Sequence, residues 1–570
     1  MDLTGFIKEK GYIEESMLTT IRNKCAAKKL TFFEELYRNG ANYGIKEIDL
    51  LQWTVEAGGP GYEILENTKG FNTDGEDYNK IGGVEQCLRL KIMCIRRKQK
   101  PLCVVTCRPD DVSLIVMLNK AYGAGNYTIG ICSNSIWNAI YSLNVEPLFI
   151  EARAKKLEAN SDVRDRQFHQ VKDSEARSIY NHIIGLGMTR RASDIHLIPT
   201  SENCLVLYRI DGTNYQLMAI PLGTAERVAN ILLSDGNVAQ KGDNVPLDGK
   251  IRYKHPDARD DSEVRDLRFS IMPATKGKDV NIRFLNNTLF TFDELGMTKK
   301  NVKTYERILS MPQGLIMQVG PTGSGKSTTL YAGLNYIHEN SLRNIITVED
   351  PVEIFMDGIT QVSTNDVAKL NFARVSKQFL RHDVDVGVIG EIRDEETALE
   401  AVRAATTGHL VISSLHTNDS IGVLERLIRL GIDPYTLSEV LIAVMGQRLV
   451  RRLCPCCKEA YTLEHDSPRL QQFGIVSENK ASMTFYKSVG CEQCNNLGYR
   501  GRIAVNEILI IDRTLRDLIQ RHETRKNIED YLQSTDFETM FEDAKRKAVQ
   551  GVTSLEELEP MCSDTLAYKK

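Results

Sequence analysis

The chain has 570 residues, enough for several domains, and its 42% hydrophobic and 26% charged composition is that of ordinary globular protein. A formal net charge of −4 gives no bulk electrostatic case for binding nucleic acid or acidic lipid, and no apolar run is long enough to cross a bilayer. The start, Met1-Asp2-Leu3-Thr4, has neither the basic residues nor the apolar core of a signal peptide, so a cytoplasmic location with at most peripheral membrane contact is expected.

Residues 1–60 read as a helical region. Phe6, Ile7, Ile13, Met17 and Ile21 form a loose amphipathic pattern, followed by Phe32, Phe33, Leu36 and Tyr37. Gly58-Gly59-Pro60-Gly61 and the polar stretch 68–80 break the pattern. Residues 61–151 read as a small α/β domain, with a strand over Leu102 to Val105 and a helix over Val112 to Leu118. The basic run Arg96-Arg97-Lys98 reads as a solvated face. Residues 152–175 are polar with few apolar anchors, and read as a linker running into a helix. Residues 176–287 read as a mainly antiparallel sheet with helices, with turns at Asp211-Gly212 and at Leu247-Asp248-Gly249-Lys250. Asn286-Asn287-Thr288 opens a hinge that runs through 288–299.

Residues 300–452 hold the strongest signal. Gly320-Pro321-Thr322-Gly323-Ser324-Gly325-Lys326-Ser327 fits the phosphate-loop spacing of Gly, four residues, Gly-Lys-Ser. An apolar run, Leu315 to Val319, precedes it, and Leu330, Leu334 and Ile337 follow at helical spacing. The glycines let backbone N–H groups turn inward, and the helix start adds partial positive charge. Lys326 is placed to reach the β- and γ-phosphates of ATP, and Ser327 to hold Mg²⁺; Thr328 completes the nucleotide-binding stretch. Three further short β-type runs each deliver polar residues at their ends. Ile345 to Val348 leads to Glu349-Asp350-Pro351-Val352-Glu353, Val386 to Ile389 to Gly390-Glu391-Ile392-Arg393-Asp394, and Leu410 to Ile412 to Ser413-Ser414-Leu415-His416-Thr417. Singly, such carboxylates are most often caps or ion-pair partners. At successive strand ends after a phosphate loop, they are candidates to hold metal and prepare water.

These motifs resemble those of the secretion ATPase family of bacterial type II secretion and type IV pilus assembly. The resemblance rests on the phosphate loop, Thr347 to Glu353, Gly390 to Asp394, and Thr407-Gly408-His409-Leu410 through His416-Thr417-Asn418; it runs from about residue 173 to 560. Val384 and Ser414 depart from the family pattern without touching the proposed chemistry. The resemblance implies a RecA-like phosphate-loop core over 300–452, preceded by a PAS-like domain over 176–287. It implies that Glu353 is the catalytic glutamate, that Glu391 acts through Mg²⁺ and its water, and that His416 couples the γ-phosphate to the rest of a ring. Arg268 and Arg283 match arginines that the family aims at bound nucleotide. The partners implied are five further copies in a homohexamer, an inner-membrane platform protein, and a membrane-associated docking protein for the N-terminal region. Some relatives bind cyclic di-GMP through paired Leu-Gly-x-x-Leu repeats. The counterpart Phe32-Phe33-Glu34-Glu35-Leu36 lacks the glycine that lets backbone approach the ligand, so no such binding is expected.

Thirteen cysteines in a chain with no export signal point to a reducing compartment and to metal binding. Cys454-Pro455-Cys456-Cys457 and Cys491-Glu492-Gln493-Cys494 form two Cys-x-x-Cys knuckles in residues 453–500. Four thiolates, Cys454, Cys457, Cys491 and Cys494, suit tetrahedral Zn²⁺, with Cys456 a spare. Buried structural cysteines are the bland alternative. The element, with residues 501–570 as a C-terminal helical subdomain, resembles the assembly branch of the family. A nucleic-acid motor would fit the phosphate loop and the four cysteines equally well, but the near-neutral charge and the lack of interleaved basic and aromatic runs argue against it. A nucleotide-switched scaffold is a third reading, against which stand Glu353, Glu391 and His416.

Overall fold

The computed structural model describes all residues except 1, 69, 160–165, 240–244, 257–263, 286–287, 365–369, 380, 476–480 and 562–570; for 159 and 166–173 it describes the backbone alone. Two units result, Met1–Phe284 with Val489–Gly498, and Leu285–Ser488 with Tyr499–Lys570.

The first unit begins with helices Leu3–Lys10, Glu15–Lys28, Phe32–Asn39 and Glu47–Gly58. Thr31 and Glu34 close a reciprocal capping box at the third of these, satisfying two otherwise orphaned N–H groups. Leu3, Ile7, Ile21, Phe33, Leu36 and Leu50 pack the helices together. A four-stranded sheet follows in the order Tyr62–Leu65, Tyr127–Cys132, Leu102–Thr106, Ile92–Ile95. Its first three strands are parallel and its last pair antiparallel.

The stretch expected as a linker is helical on both sides of the undescribed residues 160–165, in Glu146–Ala159 and Arg166–Thr189. Ile150, Ala154 and Leu157 explain the first helix. They recur four and three residues apart, and all three are buried in the core of the following sheet. Of the expected linker Asn286-Asn287-Thr288, the first two residues lie outside the described residues.

That following sheet has six strands, all antiparallel, in the order Thr213–Ile220, Cys204–Ile210, Ala192–Pro199, Gly277–Phe284, Val264–Ala274, Leu247–Lys254. Asp211 and Gly212 form the expected hairpin turn, both at positive φ, 49° and 90°. The second expected turn is absent: Leu247-Asp248-Gly249-Lys250 opens the edge strand Leu247–Lys254. Gly249 faces Phe269 across the ladder, and a Cβ there would lie 2.2 Å from the ring's Cζ. The glycine therefore serves a close approach by an aromatic ring.

In the second unit a seven-stranded sheet runs Thr360–Ser363, Ile345–Glu349, Val386–Ile389, Leu410–Leu415, Gly314–Val319, Leu441–Leu453, Tyr499–Ile510. The first six are mutually parallel; the last is antiparallel. Gly314–Val319 is buried along its whole length, as are Ile345–Glu349 and Val386–Ile389. Such uninterrupted runs follow from covering both faces of a parallel sheet. One face packs with Phe379, Ala401, Leu424 and Leu437, the other with Tyr305, Leu330, Leu334 and Ile337. A two-stranded ribbon, Glu459–Leu463 with Met483–Lys487, and helices Arg513–Gln520, Arg525–Gln533 and Met540–Val549 complete the unit.

Gly249→Ala forces the Phe269 ring, and Val238 at 2.9 Å, to give way. Overpacking of this kind costs about 1–3 kcal/mol. A thermal melt should show a lowered midpoint for the transition that loses this sheet; an unchanged midpoint would mean the edge strand moves aside freely.

Candidate nucleotide site and tetracysteine centre

The phosphate loop sits where a central buried strand, Gly314–Val319, meets the helix Lys326–Asn340. Gly323 and Gly325 hold φ of 78° and 86°, a region costly for residues with a Cβ. At the helix start Ser327 is exposed and Thr328 half-buried, so both hydroxyls lie in the open first turn. Lys326 folds back over its own loop: its Nζ donates to the Gly320 carbonyl at 2.6 Å and to that of Pro321 at 3.2 Å. Burial pushes the Lys326 ammonium below its ordinary pKa, while the Glu391 carboxylate pulls the other way.

The loops at neighbouring strand ends converge on that lysine. Lys326 Nζ lies 3.5 Å from Nδ1 of His416, and the other nitrogen of His416 lies 3.2 Å from Glu391 Oε1. Arg393 Nε donates to Glu391 Oε2 at 3.0 Å, and its Nη1 to Asp350 Oδ2 at 3.3 Å. The arrangement is a line of contacts, Lys326, His416, Glu391, Arg393, Asp350, drawn from four different loops, in which each carboxylate lies against a basic group. The arginine and Asp350 were not assigned roles from the sequence. The signal for the arginine lies in Glu391-Ile392-Arg393-Asp394 and that for the aspartate in Glu349-Asp350-Pro351.

Glu349 and Glu353 lie in different surroundings. Glu349 is buried and accepts from Thr347 at 2.6 Å, from Gln361 at 3.3 Å, and from the Tyr331 hydroxyl. Glu353 is exposed, and its backbone N–H donates to that same Tyr331 oxygen at 3.1 Å. Tyr331 thus anchors the loop that carries Glu353 while leaving the Glu353 carboxylate at the surface.

Arg268 and Arg283 lie on the antiparallel sheet of the first unit, and both are exposed. They are direct neighbours in register; Arg268 lies between buried Leu267 and Phe269, and Arg283 between buried Ile282 and half-buried Phe284. Arg283 Nε donates to Asp194 Oδ1 at 2.8 Å, and Arg209 approaches the other oxygen of Asp194 at 3.7 Å.

The second centre is made of sulfur. The Sγ atoms of Cys454, Cys457, Cys491 and Cys494 all lie within 4.8 Å of one another. Cys454 and Cys494 are buried, and Cys456 is exposed and outside the cluster. Zn–S bonds of about 2.3 Å in a tetrahedron set sulfur atoms about 3.8 Å apart. The Cys491 to Cys494 separation is 3.8 Å. Backbone N–H groups of Cys491 and Gly498 donate to Cys494 Sγ from 3.1 and 3.2 Å. The donor set and spacing therefore fit Zn²⁺ held by four protein ligands, with no position left for water.

Comparison with known proteins agrees with this geometry. A family model described as "Type II/IV secretion system protein" matches residues 169–560. The chain is 38% identical over 411 residues to the type II secretion system ATPase E of Vibrio cholerae, a match covering 71% of this chain and 78% of that relative. It is 32% identical over 571 aligned positions to the type IV pilus assembly ATPase PilB of Myxococcus xanthus, covering 97% of this chain and 92% of the relative. Among solved structures, the ATPase DotB of Legionella pneumophila superposes with a TM-score of 0.52 at 19% identity, over 68% of this chain and 96% of its own; that likeness is one of fold.

Elemental analysis of chelator-washed protein should return one zinc per chain. Cys494→Ser should lose it and lower the thermal midpoint, because a closed four-thiolate site contributes to folding. Cys456→Ser should keep the metal. Metal-free wild-type protein with an unchanged melt would refute the assignment.

Proposed function

We propose that this chain, which belongs to the type II/IV secretion system protein family, is an Mg²⁺-dependent ATP hydrolase. In this reading it works as a hexamer at the cytoplasmic face of the inner membrane. It couples hydrolysis to a membrane platform protein that assembles a type IV pilus or a type II secretion pseudopilus. The observation that carries the reading is the convergence of Lys326, His416 and Glu391 at the mouth of the phosphate loop. Nothing in a packing role requires four loops to bring basic and acidic groups together beside a lysine that covers a phosphate-binding turn.

The roles follow from position. Residues Gly320 to Thr328 cradle the phosphates, and Ser327 offers its exposed hydroxyl to Mg²⁺. When bound, Mg²⁺ supplies positive charge at the phosphate oxygens. Lys326 leaves its two backbone acceptors for phosphate oxygens, and burial of its ammonium strengthens that attraction. His416, released from Lys326, keeps its contact with Glu391, so the arrival of a γ-phosphate is felt at both. The exposed Glu353 orients and accepts a proton from the attacking water. Arg268 and Arg283 supply a second source of positive charge to the phosphates of bound ATP. The absence of helices long and apolar enough to cross a membrane, among the described residues, is consistent with a platform partner providing the membrane part. The N-terminal helices and the four-stranded sheet take the docking role, without binding cyclic di-GMP.

Lys326→Ala should abolish nucleotide binding, whereas Glu353→Gln should bind ATP normally and lose turnover by about 10² or more. Equilibrium binding beside steady-state phosphate release separates the two, and wild-type turnover in Glu353→Gln would remove that residue from its role. Arg268→Ala and Arg283→Ala should each lower kcat far more than they weaken ATP binding. Near-wild-type kcat in both would leave them as surface residues. Turnover should be the same with and without DNA.

A further inference from the structure

The phosphate loop leans on one side chain from a distant part of the chain. Gln447 lies in the strand Leu441–Leu453, which pairs in parallel with the strand leading into the loop. It is almost completely buried. Its Nε2 donates to the Ser324 carbonyl at 2.8 Å, and its Oε1 accepts from the Thr329 hydroxyl at 2.7 Å. Both ends of one amide are therefore used, one on the loop and one on the first turn of the helix.

The first of these bonds has a stereochemical consequence. In a trans peptide the C=O and the following N–H point to opposite sides. Holding the Ser324 carbonyl toward Gln447 turns the Gly325 N–H away from it, to the side where a phosphate is cradled. The neighbouring glycines carry the same mark. A Cβ on Gly325 would lie 2.8 Å from Gln447 Nε2, and one on Gly320 would lie 2.2 Å from the Gln447 backbone carbonyl oxygen. Two of the loop's three glycines are thus required at the points where the loop meets this residue. Lys326, by contrast, bonds only to the open side of the loop.

We infer that Gln447 is a positioning residue for nucleotide binding: it presets the Ser324–Gly325 peptide so that its N–H faces a phosphate before nucleotide arrives. The inference rests on the phosphate loop binding nucleotide, as proposed above. It differs from a packing role in what it alters. An N–H aimed at a phosphate present in both ATP and ADP stabilises substrate and transition state alike, so its loss weakens binding and leaves the chemical step nearly unchanged. Only a glutamine satisfies both partners. A glutamate keeps the acceptor for Thr329 but sets a carboxylate against the Ser324 carbonyl. A methionine of similar length removes both bonds.

The test is the dissociation constant of Mg²⁺ with a fluorescent ADP, measured beside KM and kcat for ATP on the full chain. Gln447→Met should raise the dissociation constant and KM at least tenfold while kcat stays within about threefold. Hydrogen exchange across residues 320–328 should speed up in the nucleotide-free variant. Thr329→Val, which leaves Gln447 in place and frees only one end of its amide, should raise the dissociation constant by a smaller factor in the same direction, and stands in if Gln447→Met does not fold. Wild-type affinity in Gln447→Met, or in Thr329→Val when that stand-in is used, overturns the inference. So does a loss confined to kcat. If wild-type protein itself binds no ADP, the nucleotide reading fails with it, which separates that failure from this one.

Discussion

A loop that binds phosphate through its own backbone has a conflict built into it. Its N–H groups must stay unpaired with the rest of the chain, yet unpaired backbone near a protein interior is costly. The fold answers by fixing the other half of each peptide. The strand Gly314–Val319 is clamped between parallel neighbours on both sides, and the loop's carbonyls find partners at Lys326 and Gln447. What stays unpaired is then aimed by what is paired. The central position of this strand in the sheet serves the same end, because no edge strand could be held from both sides.

The parallel order of the sheet makes the rest possible. Strands that run the same way deliver all their following loops to one edge, so residues separated by up to ninety positions meet around one lysine. The price of such an edge is a crowd of like charges. Along Lys326, His416, Glu391, Arg393 and Asp350 it is offset, each carboxylate lying against a basic group. Glu353 stands apart from that line at the surface, and Glu349, two residues before the turn at Pro351, is spent on holding Tyr331.

Much of this was legible in the chain. The phosphate loop was, because its chemistry is local: three glycines, a lysine and a hydroxyl at fixed spacing between a strand and a helix. The two cysteine knuckles were for the same reason. The errors came where one residue answers to another far away. Gly249 beside an aspartate reads as a turn, but its partner is the Phe269 ring on the next strand. Residues 152–159 read as linker because four of the eight are charged, although the spacing of Ile150, Ala154 and Leu157 is what a helix needs. Gln447 carries no motif, and neither does the contact of Arg393 with Asp350. Both are products of strand order, which periodicity does not encode.

The sheet also bears on how the tetracysteine element could vary. Leu453 and Tyr499 pair across the ladder, so the chain leaves the sheet and returns to it at facing positions. Cys454 is the first residue out, and the second knuckle lies just before the return. Residues 454–498 therefore form an excursion whose two ends are pinned at its neck. The entropic cost of closing such a segment grows only slowly with its length. The stretch between the two knuckles is thus a place where the chain can change length while the strands that carry the nucleotide loops keep their register.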